Sequence, residues 1–139
     1  VHRISTGVFR TRPASWGEPR HLKIMTTYTW DSIQREQLNP LAARQVIHTA
    51  NFTVARLFLS KGAVVPSHHH VNEQITMMQS GSLRFVVAGK EHILRAGEML
   101  VVPPEAPHEV EALEDCVALD LFSPPRVDWQ RGDDAYLRR

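Results

Sequence analysis

Between residues 43 and 122 the apolar and polar positions alternate in short runs. Val54, Arg56 and Phe58, for example, interleave with Ala55, Leu57 and Leu59. A period of two places successive side chains on opposite faces of an extended chain, so each run predicts a β-strand. Strands are expected over residues 26–30, 43–49, 52–59, 74–79, 83–87, 91–94, 99–102, 108–113 and 117–122. Residues 31–38 read as a turn or short helix ahead of Asn39-Pro40. Ser80-Gly81-Ser82, Ala88-Gly89-Lys90, Ala96-Gly97 and Glu114-Asp115 supply turns, and residues 103–107 form a proline-rich loop. Many short strands punctuated in this way predict an all-β sandwich or barrel. Pro124-Pro125 ends the pattern, leaving residues 127–139 as a polar tail with one helical turn after Asp133-Asp134.

Residues 1–24 have a different texture. Arg3, Arg10, Arg12, Arg20 and Lys23 face only Glu18, while Pro13, Gly17 and Pro19 interrupt any helix. The expectation is a basic, poorly ordered extension upstream of a natural start at Met25, with the barrel and its short tail occupying 25–139. At 139 residues the chain is one domain. The net charge of +1 sets up no field for nucleic acid or an anionic membrane surface. No apolar run reaches transmembrane length. A lone cysteine, Cys116, forbids an internal disulfide and points to the cytoplasm.

Candidate chemistry gathers around the histidines. His68 and His70 share one strand face while His69 points away, Gln74 can bend back to the same face, and His108 follows the proline loop. Three imidazoles and an amide oxygen can close around one divalent transition metal, with Ni, Zn, Fe, Mn and Cu all compatible.

These residues resemble the cupin family. Its first motif is matched by Gly62, His68, His70, Gln74 in place of the usual Glu, and Gly81. Its second is matched by Gly97, Pro103, Glu105 in place of Gly, and His108, with Ala112 where Asn is usual. The resemblance covers residues 52–129. It implies a single small double-sheet jelly-roll barrel with the metal inside, and a homodimer in which residues 28–30 could exchange between subunits.

A second cluster lies in A-L-D-L-F-S-P-P-R. Asp120 and Phe122 share a face, with Asp120 toward the cavity and Leu119 and Leu121 toward the core. Arg126 stands past the proline turn, where it can offer its fork to a carboxylate. The competing reading is a plain Asp120–Arg126 ion pair. Joined to the Gln-containing metal set, this cluster resembles the KdgF-type cupins of pectin degradation. That resemblance implies a metal-dependent enzyme converting 4,5-unsaturated uronates, small anionic sugars, to linear keto-uronates. Metal would sit on His68, His70, Gln74 and His108, with catalysis and substrate binding on Asp120, Phe122 and Arg126. The neutral Gln74 leaves the ion's full double-positive charge, which suits a non-redox Lewis acid. Two alternatives stand beside it, a non-catalytic sugar-binding module and a cupin dioxygenase.

Overall fold

The computed structural model describes residues 25–139, so the expectations for 1–24 lie outside the described residues. Ten strands form: β1 (Glu36–Asn39), β2 (Ala42–His48), β3 (Thr53–Leu59), β4 (Val64–His68), β5 (Glu73–Ser80), β6 (Ser82–Val87), β7 (Lys90–Arg95), β8 (Met99–Val102), β9 (His108–Ala112) and β10 (Cys116–Ser123). They build two antiparallel sheets, a six-stranded one in the order β1-β2-β3-β10-β5-β8 and a four-stranded one in the order β4-β9-β6-β7. The two sheets face each other as a small jelly-roll barrel.

Residues 26–30 do not form the expected strand. They run as irregular chain into a 3-10 turn, Trp30–Ser32, and Glu36–Asn39, expected as turn or helix, is instead the edge strand β1. The turn is held by tertiary contact: Gln45 on β2 donates its amide to the carbonyls of Trp30 and Ile33. Pro66 sits inside β4 without breaking it, because β4 is an edge strand and its register against β9 shifts between Val65 and His68.

Leu59, Met78, Leu83, Phe85, Leu94 and Val110 pack between the sheets, each fully buried large side chain contributing about 1.5–3 kcal/mol. A smaller cluster of Ala55, Phe122 and Trp129 fills one end. Along β10 the buried side chains are Cys116, Ala118, Asp120 and Phe122. Leu119 and Leu121 therefore lie on the outer face of the sheet, not toward the core as expected. The alternation and the inward Asp120 hold, and only the side given to the two leucines is corrected.

Gly81 turns β5 into β6 at φ +73°, and a Cβ there would lie 2.3 Å from the Asp115 carbonyl oxygen. Only glycine allows this close approach, which seats the β5–β6 turn on the start of β10. The C-terminal segment is no free appendage. A helical turn at Val127–Gln130 and the expected one, found at Ala135–Leu137, fold it back over the barrel, burying Trp129 and Asp134. Arg44 on β2 pairs with Asp134 at 2.5 Å, and Arg138 bridges Asp134 and Glu36. Among the described residues, no helix is long and apolar enough to cross a membrane.

Candidate metal centre and catalytic cavity

Strands β4, β5, β9 and β10 carry His68, Gln74, His108, Asp120 and Phe122 to one end of the barrel, while His70 and Arg126 reach it from the segments after β4 and β10. His70 is therefore not on the strand face expected of it. β4 ends at His68 and β9 begins at His108, and the two are register partners. Ring nitrogens of His68, His70 and His108 lie within 4.8 Å of one another. His69 points outward as expected, exposed and 2.9 Å from Glu105.

The three rings are oriented from behind. The Nδ1 of His68 donates to the Pro66 carbonyl at 2.8 Å, that of His70 to Asn72 at 3.0 Å, and that of His108 to Ala106 at 2.8 Å. A carbonyl oxygen only accepts, so each Nδ1 carries the proton and each Nε2 keeps a free lone pair. Burial, together with the His108 and Arg126 charges respectively, pushes His68 and His70 down to about 4, and burial also lowers His108. All three rings are neutral at neutral pH.

Gln74 is aligned by a relay. Its amide nitrogen donates to the Thr76 hydroxyl at 3.0 Å, which donates in turn to Asp120 at 2.5 Å. Because Thr76 gives its proton to Asp120, it must accept from Gln74, and the amide oxygen is turned toward the histidines. There Oε1 lies 3.1 Å from His70 Nε2, so two acceptors face each other. The Nε2 of His108 is buried with no hydrogen-bond partner among the described residues. Acceptors facing each other and an orphaned buried lone pair are costly unless a cation lies between them. The residues fit a divalent metal held by His68, His70, His108 and Gln74.

Asp120 is 5% exposed at the foot of this relay. Burial pushes its carboxyl up to about 6, against the opposing pull of the Thr76 hydroxyl and the Arg126 charge. It makes no ion pair with Arg126. The Nε and Nη2 of Arg126 bind the Asp128 carboxylate at 3.0 and 2.8 Å, and Nη2 also donates to the Tyr136 hydroxyl at 2.7 Å. The fork expected to be open for a substrate is therefore filled by Asp128, although the guanidinium still lines the cavity, 4.7 Å from the Phe122 ring. Phe122 packs edge-on to His70.

His68, Gln74, His108, Asp120, Phe122 and Arg126 all line one cavity, whose remaining lining is largely apolar. Thr76, Trp129 and Tyr136 line it too and were not anticipated. Thr76 had a signal: it shares the inward face of β5 with Gln74 and stands opposite Asp120 in register. Trp129 and Tyr136 had none, lying beyond the alternating pattern.

Residues 56–122 match the family model described as Cupin domain. No curated protein sequence matches the chain significantly. Among solved structures, KdgF from Halomonas sp. superposes with a TM-score of 0.72 at 27% identity, over 76% of this chain and 99% of that one. An RmlC-like cupin from Shewanella frigidimarina gives 0.71 at 23% identity, over 76% of this chain and 96% of its own. Bacillus subtilis oxalate decarboxylase, described with Mn(II) centres, gives 0.62 at 19% over 70% of this chain and 29% of its own, a likeness of fold alone. Residues 56–122 thus form a cupin domain, and the fold around it is similar to that of KdgF.

Proposed function

We propose that the protein is a metal-dependent enzyme that opens 4,5-unsaturated uronates to linear keto-uronates. The observation that carries this reading is the Gln74–Thr76–Asp120 relay, which couples a buried carboxyl poised near neutrality to a neutral metal-ligand set in one cavity. Metal bound at His68, His70, Gln74 and His108 would supply Lewis acidity toward a sugar oxygen.

The reaction balances without redox chemistry. The anomeric hydroxyl loses its proton as the bond from C1 to the ring oxygen breaks, leaving an aldehyde. The C4–C5 double bond becomes a C5 ketone, and C4 gains a proton. Asp120 can take the first proton and return the second, because a carboxyl held near 6 exists in both forms close to neutral pH. Arg126, its charge balanced by Asp128, lines the cavity as a hydrogen-bonding wall for the sugar carboxylate, and Phe122 gives the ring an apolar wall. The reading carries the expected cytoplasmic homodimer with it, and exposed Met99 and Val101 on edge strand β8 are an apolar surface a second copy would cover.

The test is to incubate metal-loaded protein with unsaturated uronates and follow loss of the enol-ether absorbance. Turnover should fall about 10²–10⁴-fold in Asp120→Asn with metal content retained. Wild-type protein that leaves every unsaturated uronate intact sinks the assignment.

A further inference from the structure

Tyr136 arrives at the cavity from the C-terminal segment, outside the alternating strands. Its ring lies 4.6 Å from that of His68, centroid to centroid, and it shares the cavity wall with Gln74, His108 and Asp120. Its oxygen receives two donors, Arg126 Nη2 at 2.7 Å and Trp129 Nε1 at 3.2 Å. Neither donor can accept, so the phenolic proton is left to donate elsewhere. The neighbouring Arg126 cation polarises the O–H bond and strengthens it as a donor.

The segment that carries Tyr136 is anchored, not loosely draped. Asp134, two residues earlier, is buried against Arg44, and Asn39 donates to the carbonyl of Leu137 at 2.9 Å. A ring fixed on both sides, with its acceptor positions filled and its proton uncommitted, is a preorganised hydrogen-bond donor.

We infer that Tyr136 is a ligand-binding residue of the metal cavity, whose hydroxyl donates to an oxygen atom of the bound ligand and favours oxygen ligands over nitrogen ligands. This deepens the sugar-site reading and rests on it, since hydroxyl and carboxylate oxygens are what a uronate presents. An apolar plug would use the same ring without the hydroxyl.

The test uses cobalt-loaded full chain, with binding of acetate and of imidazole read from the d–d absorption of the ion. Tyr136→Phe should hold cobalt as wild type does. Its acetate affinity should fall about tenfold, the worth of one hydrogen bond to a charged oxygen, while imidazole affinity stays unchanged. Equal weakening of both ligands would mark a structural role and overturn the inference. So would unchanged acetate binding, or a wild-type protein that binds no acetate. A second measurement needs no variant: the chain has 2 tyrosines, so 3-fluorotyrosine labelling gives Tyr136 and the exposed Tyr28 as separate fluorine signals. Acetate should shift the Tyr136 signal and leave Tyr28 still, and a motionless Tyr136 signal refutes the contact. Failure of uronate turnover would remove the proposed activity without touching either result, because acetate binding requires no reaction.

Discussion

Thr76→Val tests the relay that joins the metal-ligand set to the proposed proton shuttle. Valine keeps the β-branched shape that suits strand β5 and removes only the hydroxyl. That hydroxyl is buried, donates to Asp120 at 2.5 Å and accepts from Gln74 at 3.0 Å. A hydrogen bond to a charged group is worth about 1.5–3 kcal/mol, so losing it raises the Asp120 pKa by about one to two units. Asp120 already stands raised from 3.8 to about 6, so the folded state holds a proton that the unfolded state releases. The stability this contributes is present in full below 3.8 and is lost as pH rises through about 6. In Thr76→Val the loss continues to higher pH, and the ionised carboxylate is left with one partner fewer. Urea denaturation of metal-free wild type and variant at pH 5 and pH 8 checks this. The histidines titrate alike in both proteins and cancel in the comparison. The penalty for the substitution should be about 1–2 kcal/mol larger at pH 8 than at pH 5. Thr76→Ser, which keeps the hydroxyl, should show no such pH dependence. A Thr76→Val penalty equal at the two pH values would mean that the hydroxyl does not support the ionised carboxylate, and the relay would lose its place in the mechanism.

Three further outcomes are expected. His108→Ala should lose most of the bound divalent metal while exposed His69→Ala retains it, as measured by elemental analysis, and equal losses would contradict the facing of the two rings. Because His68 and His70 are held down to about 4, proton competition should release metal from wild type only well below pH 6.5. Gly81→Ala and Gly89→Ala both place a side chain at positive φ, but only the first meets backbone, 2.3 Å from the Asp115 carbonyl oxygen. Both should destabilise by about 1–2 kcal/mol from left-handed strain, with Gly81→Ala losing clearly more in thermal melts; equal losses would deny the close approach.

How far the sequence carried the description depended on whether a feature was local to the alternating pattern. Most of the barrel strands and the outward His69 follow from a period of two and from turn chemistry. By contrast, β4 was not among the expected strands, and His70, past its end, meets His68 and His108 through the bend before β5. Periodicity says which residues share a face but not which face is inside. Leu119 and Leu121 could therefore be placed on the wrong side while Asp120 and Phe122 were grouped correctly. β1 and residues 26–30 escape local reading because tertiary contacts decide them: β1 is held by pairing with β2, and the Gln45 amide holds the turn that residues 26–30 lead into. Glu105 shows the opposite relation between motif and structure. It departs from the motif glycine, yet the turn still takes φ +65°, so the backbone requirement persists and the side chain bears the strain beside His69.

The C-terminal segment shows how composition misleads where charge is paired. Asp128, Asp134 and Arg138 look like residues of a solvated tail, but each finds a partner. Asp128 fills the Arg126 fork, and Asp134 is buried between Arg44 and Arg138. Of the three only Asp134 is buried, a cost that its two arginine partners offset, so these pairs serve more to fix one position of the segment than to add stability. The position they fix sets Tyr136 beside His68, with Arg126 donating to its hydroxyl. The clamp expected of Arg126 is thereby divided. Its fork positions Asp128, its Nη2 also orients the Tyr136 hydroxyl, and both side chains line the cavity. On the proposed function, recognition of an anionic sugar would thus rest on an Arg126–Asp128 pair already held in place and a hydroxyl delivered from the tail.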